Sequence, residues 1–267
     1  MRIDAHQHFW TYNTEDYGWI EDERIQRDFG PQDLKPLLEQ HHIDGCVLVQ
    51  VNQTEEETQH FHQIALENEI VKAVVGWTDL FSPALEERLQ EYKKLPKVKG
   101  FRHIVQGEPV GFMKNPEFVK GVKLLGKYGF TYDILIYPTQ MKDAVHLVRE
   151  CPDVTFILDH LAKPYIREQK VQPWANYMKE LGSFPNLYCK VSGMVTEAAK
   201  LWRREDFQIY MDFALASFGM ERLMYGSDWP VCLSAADYST QLALVEGNFN
   251  RHEGIFGLNA IKAYGIS

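Results

Sequence analysis

The chain has 267 residues, of which 45% are hydrophobic and 24% are charged, and its formal net charge at pH 7 is −9. The composition is typical of a globular protein, and the length is about that of a single (β/α)₈ barrel. The negative charge argues against nucleic acid as a partner, because phosphate binding requires clustered lysine and arginine. No apolar run is long enough to span a bilayer, and the N-terminus lacks the pattern of a signal peptide, so we expect no membrane partner.

The cysteines indicate a reducing compartment. There are four of them, far apart in the sequence and without a C-x-x-C spacing: Cys46, Cys151, Cys189 and Cys232. Such a distribution suggests neither a thiolate metal site nor a redox pair. Cys46 and Cys189 lie in apolar, strand-like runs, where cysteine behaves as a small buried hydrophobe. We therefore expect a cytoplasmic protein.

Strand-like and helix-like patterns alternate along the whole chain. Short β-branched or apolar runs predict strands at 2–5, 44–51, 71–77, 98–104, 131–137, 154–159, 187–192 and 223–225. After a long loop at 11–30, helical spacing and capping signals predict helices at 32–42, 55–68, from 82, from 115, and at 139–150, 173–181, 205–218, 238–246 and 258–264. Alternating β and α elements imply a parallel sheet.

Eight such units in this length fit a closed barrel better than an open doubly wound sheet. The chain has no G-x-G-x-x-G after the first strand and no phosphate-binding Walker loop, which weakens the nucleotide-binding alternatives. No linker rich in glycine, proline or serine divides it. The sequence therefore predicts an α/β protein, a (β/α)₈ TIM barrel, with one domain over residues 1–267.

A His-x-His pair follows the first predicted strand directly. Successive strand side chains alternate between faces, so His6 and His8 share one face with their Cα atoms roughly 6.5–7 Å apart. Two imidazoles at that distance can converge on one metal ion or one bound water. The N-terminal strand end is therefore a candidate catalytic or metal-binding site.

Barrel enzymes carry their chemistry where the strands end. Polar residues stand at each of the other predicted strand ends: Gln50, Asn52, Trp77, Asp79, Arg102, His103, Asp133, Tyr137, Asp159, His160, Lys190, Ser192, Ser227 and Asp228. Burying so many ionisable groups unpaired would be costly, so a purely structural barrel does not need them. Since strand faces alternate, Arg102 and His103 should point in opposite directions, and we favour Arg102 pointing inward.

Several short segments at these ends carry a family resemblance. They are HQHFW at 6–10, GFRH at 100–103, LDHLAKP at 158–164, KVSG at 190–193, YGSDWP at 225–230 and FGLNA at 256–260. In this order they resemble the amidohydrolase superfamily, and more closely its branch of sugar lactonases and 2-pyrone-4,6-dicarboxylate hydrolases. The resemblance covers the chain from end to end and implies a distorted (β/α)₈ barrel.

The resemblance also implies roles for individual residues. His6 and His8 match the family's strand-one pair, His160 its strand-six histidine, and Asp228 the strand-eight aspartate that deprotonates the attacking water. Members with two metals carry a lysine or glutamate on strand four and a histidine on strand five, which are absent here, so a binuclear centre is not expected. One divalent ion, zinc first, on His6, His8 and Asp228 stays open, as does a metal-independent site.

Lactone opening needs a base for water and positive charge or donors at the carbonyl oxygen. Asp228 is the candidate base, and His160 or protonated Asp228 would return a proton to the leaving oxygen. The oxyanion that forms at the carbonyl oxygen would be stabilised either by a metal on His6 and His8 or by the histidines together with Arg102. For substrate binding the sequence offers Arg102 and Lys190 at the rim and the aromatic faces of Trp10, Trp19 and Trp229. Arg102 and Lys190 have an alternative role as partners of core carboxylates.

The segments at strands seven and eight are more similar to the sugar lactonases, which implies a small aldonolactone such as L-fuconolactone or L-rhamnonolactone as substrate. A dicarboxylate lactonase and a metal-dependent decarboxylase of the same superfamily remain alternatives. A non-catalytic ligand-binding barrel is the alternative from another class, and it predicts thermal stabilisation by a ligand without turnover. The sequence leaves the oligomeric state open.

Overall fold

Eight parallel strands follow one another in the order β1 to β8 in a computed structural model that describes residues 1–267. The strands are β1 (Ile3–Gln7), β2 (Gly45–Val49), β3 (Val71–Gly76), β4 (Val98–His103), β5 (Thr131–Ile134), β6 (Phe156–Leu158), β7 (Leu187–Val191) and β8 (Leu223–Tyr225). The predicted (β/α)₈ barrel is confirmed. Strand β5 is three residues shorter than predicted, because Leu135 leaves the sheet and accepts a hydrogen bond from the Gln106 amide in the loop after β4.

A helix follows each strand, and a ninth closes the chain. The helices are α1 (Pro31–Gln40), α2 (Glu55–Glu67), α3 (Leu85–Tyr92), α4 (Pro116–Lys127), α5 (Met141–Glu150), α6 (Trp174–Gly182), α7 (Glu205–Phe218), α8 (Tyr238–Phe249) and α9 (Asn259–Tyr264). Local signals set several of the starts: the Thr54 hydroxyl accepts from the Glu57 amide, and Asn115 caps α4 ahead of its proline. Among these helices, none combines the length and apolar character needed to cross a membrane.

The barrel closes between β1 and β8. The Asp228 amide donates to the His6 carbonyl at 2.8 Å, and the His8 amide donates to the Trp229 carbonyl at 2.8 Å. The same residues that carry the candidate chemistry therefore form the seam. Closure of the sheet brings the first and last strands, more than two hundred residues apart in sequence, to one point on the rim.

A bulge in β1 re-aims the first histidine. The register to β2 shifts between Asp4 and Gln7. Ala5 packs in the apolar cluster inside the barrel, and the next residue, His6, also faces the interior, while Gln7 donates outward to the Cys46 thiol. Two consecutive inward residues are the signature of a bulge, which commonly occurs beside active sites. Asp4 accepts from the His6 and Ser227 amides and so holds the bulge to β8.

Two apolar layers hold the fold together. A large cluster fills the space between the sheet and the surrounding helices, and a small one lies within the barrel. At the amino ends of the strands, Tyr264 and Ile266 close the interior from below. All four cysteines are buried and free.

Candidate active site

Three histidines and one aspartate meet at the carboxyl ends of the strands. His6 Nε2 lies 3.2 Å from His8 Nε2. The Asp228 Oδ1 oxygen lies 3.4 Å from His8 Nε2, 3.7 Å from His6 Nε2 and 3.9 Å from His160 Nε2. Two histidines from the end of β1 and one from the end of β6 thus converge on the carboxylate that follows β8, on the face where barrel enzymes carry their chemistry.

The backbone is strained where two of these side chains are presented. His160 and Asp228 have φ of +53° and +58°, in the left-handed region that non-glycine residues rarely adopt. The strain of His160 continues through Leu161, Ala162 and Lys163, all with positive φ. Such conformations persist where surrounding structure determines them, and they cluster at functional sites.

Hydrogen bonds orient the outer two histidines. His8 Nδ1 lies 2.8 Å from the carbonyl oxygen of Val49, which can only accept, so Nδ1 carries a proton. His160 Nδ1 lies 2.8 Å from the Ser192 hydroxyl. Gly193 makes room for this ring, because a Cβ there would lie 2.5 Å from His160 Nδ1.

A buried layer of charge supports the histidines from below. Lys190 Nζ lies 2.6 Å from Asp133 and 3.0 Å from Asp159, with all three side chains fully buried. Arg102 pairs with Asp159 at 3.0 Å and donates to both the side chain and the carbonyl of Gln50. These pairs satisfy charges that would otherwise be costly to bury.

Electrostatics leave Asp228 ionised and the imidazoles of His6 and His160 neutral. Burial lowers the pKa of His160 to about 4 despite nearby Asp228. Burial, followed by the charge of Lys190, places the pKa of His6 well below its usual range. Burial opposes ionisation of Asp228, but His160 and the other histidines outweigh it and lower its pKa. At neutral pH the site therefore presents the Asp228 carboxylate beside the neutral imidazoles of His6 and His160.

A cleft of about 420 Å³ opens above these residues. His8, Arg102, His160 and Asp228 form its floor, and Trp19 from the long loop 11–30 stands at its wall with half of its surface exposed. The walls mix apolar side chains with amides: Val51, Ile104, Leu135, Val231, Asn52, Gln53 and Gln106. The size suits a small molecule, and the lining offers neutral contacts.

The structure places the other predicted site residues away from the cleft. Trp10 is buried, donates to the Arg27 carbonyl and packs on Phe29. Trp229 is buried against the rings of Phe9 and Phe29, because the chain turns outward after Asp228. These two tryptophans support the rim from behind and do not line the cleft.

Lys190 also differs from its predicted place. It lies beneath His6 and reaches no part of the cleft, whereas Arg102 points inward as predicted. Both residues pair with core carboxylates: Arg102 with Asp159, and Lys190 with Asp133 and Asp159. His103 turns away, with Nε2 2.9 Å from Glu108.

Sequence reasoning assigned no catalytic or binding role to two residues that the structure brings to the site. Asp159 forms the centre of the buried layer, and its position beside His160 at a strand end was the available signal. Lys163 lines the cleft because the left-handed turn after His160 folds the chain back over it. No periodicity in the sequence indicates such a turn.

The residues present fit one divalent metal ion. His6 Nε2, His8 Nε2 and Asp228 Oδ1 are separated by 3.2, 3.4 and 3.7 Å. Ligand atoms in a tetrahedral zinc site are about 3.3 Å apart, as follows from zinc–nitrogen bonds of about 2.0–2.1 Å. The Val49 carbonyl on His8 is the usual outer partner that orients a ligating histidine. A second possible group is His6, Asp159 and His160.

The barrel and its rim cluster define a (β/α)₈-barrel hydrolase. A crystal structure of an amidohydrolase from Burkholderia multivorans with bound zinc superposes with a TM-score of 0.95, at 35% identity over 100% of both chains. The amidohydrolase family model matches residues 3–266, and the chain belongs to this family. The predicted family, fold and enzyme class are confirmed.

Two curated relatives carry the same printed name. The chain is 37% identical to an L-fucono-1,5-lactonase from Burkholderia multivorans over 262 residues, which cover 92% of this chain and 88% of the relative. It is 34% identical to an L-fucono-1,5-lactonase from Burkholderia ambifaria over 278 residues, which cover 100% and 96%. Both alignments therefore cover more than nine-tenths of this chain.

Proposed function

We propose that this enzyme is a lactonase that hydrolyses an aldonolactone of the L-fuconolactone or L-rhamnonolactone type. The convergence of His6, His8 and His160 on Asp228 at the floor of a small cleft carries the proposal. The two relatives named L-fucono-1,5-lactonase support the substrate class.

Asp228 activates the attacking water in this proposal. Its carboxylate is ionised at neutral pH and borders the cleft, and the residue is held at the barrel seam because its backbone N–H donates a hydrogen bond to the His6 carbonyl. A water bound to Oδ1 would lie among the imidazoles and would give its proton to the carboxylate as it attacks the lactone carbonyl. A positioned base of this kind typically contributes about 10²–10⁴ in rate.

Donors on the cleft floor stabilise the oxyanion that forms at the carbonyl oxygen. Arg102 brings a positive charge to the floor, and Gln50 and Asp159 hold its guanidinium in place, so little reorganisation is needed during the reaction. A divalent metal on His6, His8 and Asp228 would, when bound, polarise the carbonyl and acidify water.

The leaving oxygen of the ring requires a proton. Asp228 holds one after the attack and can return it when the carbon–oxygen bond breaks. His160 Nε2 lies 3.9 Å from the same carboxylate oxygen and can pass the proton on, since its imidazole is neutral before the reaction. The Ser192 hydroxyl keeps the ring aimed at the cleft.

The charges in the cleft favour a neutral lactone over a dicarboxylate. Clamping two carboxylates requires several free cations. The cleft has two cationic side chains, and Arg102 is already engaged by Asp159 and Gln50, while Lys163 lies 3.7 Å from Glu197. The amides of Gln53 and Gln106 suit sugar hydroxyls, and Ile104 and Leu135 suit apolar ring edges.

The test is hydrolysis of L-fucono-1,5-lactone and L-rhamnono-γ-lactone by the purified enzyme, followed with a pH indicator against the spontaneous rate. The measurement is made before and after removal of metal with a chelator, and Asp228→Asn serves as the matched variant. We expect turnover that falls by about 10²–10⁴ in Asp228→Asn. Opening of neither lactone above the spontaneous rate, or full activity in Asp228→Asn, would reject the proposal.

A further inference from the structure

We infer that Lys190 is a positioning residue that fixes the proton of His6 on Nε2, and that this arrangement opposes metal ligation by His6. The inference rests on the proposed function, because it assigns a task to a residue beneath that same site. A neutral imidazole has one N–H and one lone pair, and the neighbours of each nitrogen decide which is which.

On the Nδ1 side the hydrogen-bonding neighbour is a donor. Lys190 Nζ lies 3.1 Å from His6 Nδ1 with hydrogen-bond geometry, and an ammonium can only donate. Asp159 Oδ1 lies farther from the same nitrogen, at 3.3 Å. Nδ1 therefore accepts from Lys190, and the proton belongs on Nε2.

On the Nε2 side there are acceptors for that proton. His8 Nε2 lies 3.2 Å away and accepts in the tautomer whose proton is on Nδ1, the nitrogen that faces the Val49 carbonyl. Asp228 Oδ1 follows at 3.7 Å. One neighbour remains unmatched: Arg102 Nη1, a donor at 3.3 Å, whose guanidinium is already bonded to Asp159.

The position of Lys190 is itself fixed. Asp133 holds the ammonium at 2.6 Å, and the hydroxyl of Tyr264 from α9 donates to the same carboxylate oxygen at 2.6 Å. Asp159 holds the ammonium from another side at 3.0 Å. The Lys190 ammonium is therefore held next to His6 Nδ1, and His6 keeps its N–H on Nε2, directed at the cleft floor.

Metal ligation needs the opposite arrangement. A metal on His6 Nε2 requires a lone pair there, so the proton must move to Nδ1, where Asp159 Oδ1 at 3.3 Å would accept it and the Lys190 hydrogen bond would be lost. The metal-bound site and the metal-free site thus use different tautomers of His6. Lys190 stabilises the second, in which His6 Nε2–H is directed at His8 Nε2 and Asp228 on the cleft floor.

The direct test is ¹⁵N nuclear magnetic resonance of histidine-labelled, metal-free enzyme without substrate, with the His6 signals identified by their loss in His6→Gln. Protonated and unprotonated ring nitrogens have well-separated resonances. We expect Nε2 of His6 to be protonated and Nδ1 to be unprotonated. Protonation of Nδ1 in the metal-free wild type would overturn the inference. This measurement of the His6 tautomer needs no turnover, so its outcome is independent of the test of lactonase activity.

Two variants separate positioning from general disturbance of the buried layer. Lys190→Met removes the donor, and we expect the His6 proton to move to Nδ1. Tyr264→Phe disturbs the same layer but keeps Lys190, and we expect the wild-type tautomer. An unchanged tautomer in Lys190→Met, or the same change in both variants, would contradict the inference. If Lys190→Met fails to fold, the tautomer of His6 in the metal-free wild type decides the inference by itself.

Zinc titration of the wild type supplies a second readout. We expect the His6 resonances to switch to Nδ1–H as zinc binds, and zinc measured by equilibrium dialysis to bind Lys190→Met about tenfold more tightly than Tyr264→Phe. Retention of Nε2–H in the zinc-loaded enzyme, or equal zinc affinity in the two variants, would contradict the proposed opposition between Lys190 and the metal.

Discussion

Gly193 tests whether the position of the His160 ring controls the reaction. A Cβ at Gly193 would lie 2.5 Å from His160 Nδ1 and 2.7 Å from Cγ. Ordinary contact begins near 3.4 Å, so in Gly193→Ala the ring must move by about 1 Å. Displacement of a catalytic group by about 1 Å typically costs about 10² in rate. The movement would also break the hydrogen bond between Nδ1 and Ser192.

Backbone strain adds an effect on stability. Gly193 has φ of +62°, where alanine costs about 1–2 kcal/mol. Gly265 is the matched control, because it has φ of +57° and a Cβ there would meet nothing within 4 Å. We expect Gly265→Ala to lose similar stability in chemical denaturation and to keep its kcat/KM for the lactone.

Only Gly193→Ala should lose activity, by about 10²-fold in kcat/KM. Both variants are assayed well below their melting temperatures, so that unfolding does not contribute to the difference. Normal kcat/KM in Gly193→Ala, or an equal loss in both variants, would refute the reasoning from ring position.

Other side chains give further predictions. Burial raises the pKa of Glu57 to about 7, so the folded state holds the proton of this carboxyl more tightly than the unfolded chain does. The contribution of Glu57 to the free energy of unfolding is therefore largest at low pH and is lost as the pH rises through 7. Between pH 5 and 8 the wild type should lose about 2–3 kcal/mol more than Glu57→Gln in urea denaturation, and equal losses would contradict this. Trp19→Ala should raise KM severalfold at nearly unchanged stability, since this side chain lines the cleft and is half exposed. Trp10→Ala should instead lose about 3–5 kcal/mol of stability, because the ring is buried. Steady-state kinetics and thermal melting distinguish the two variants. His8→Gln should weaken zinc binding at least about tenfold in equilibrium dialysis, and unchanged affinity would show that the ion lies elsewhere.

Much of the barrel followed from local patterns in the sequence. The apolar, β-branched run at 71–77 and the capping signals at Thr54 and Asn115 depend on neighbours within a few residues, and β3, α2 and α4 form where they were predicted. The inward direction of Arg102 also followed from strand alternation. His6, Arg102 and Asp228, predicted at strand ends, lie near one another because all parallel strands of a barrel end on one face.

The bulge in β1 shows where alternation alone is insufficient. A regular strand would place His6 on the face opposite to Ala5, yet both face the interior. The shift depends on Asp4 bonding to the Ser227 amide across the seam, a contact between the two ends of the chain. No local pattern contains that information.

The sequence by itself determined the alternation of strands and helices, the polar residues at each strand end and, through its segments, the family. The tertiary structure alone decided which of those residues meet. It buried Lys190 under His6 and Trp229 behind the rim, and it brought Asp159 to the centre of the charged layer. The physical reason is that hydrogen bonds and ion pairs at the site join different strands, so their partners depend on register and closure of the whole barrel.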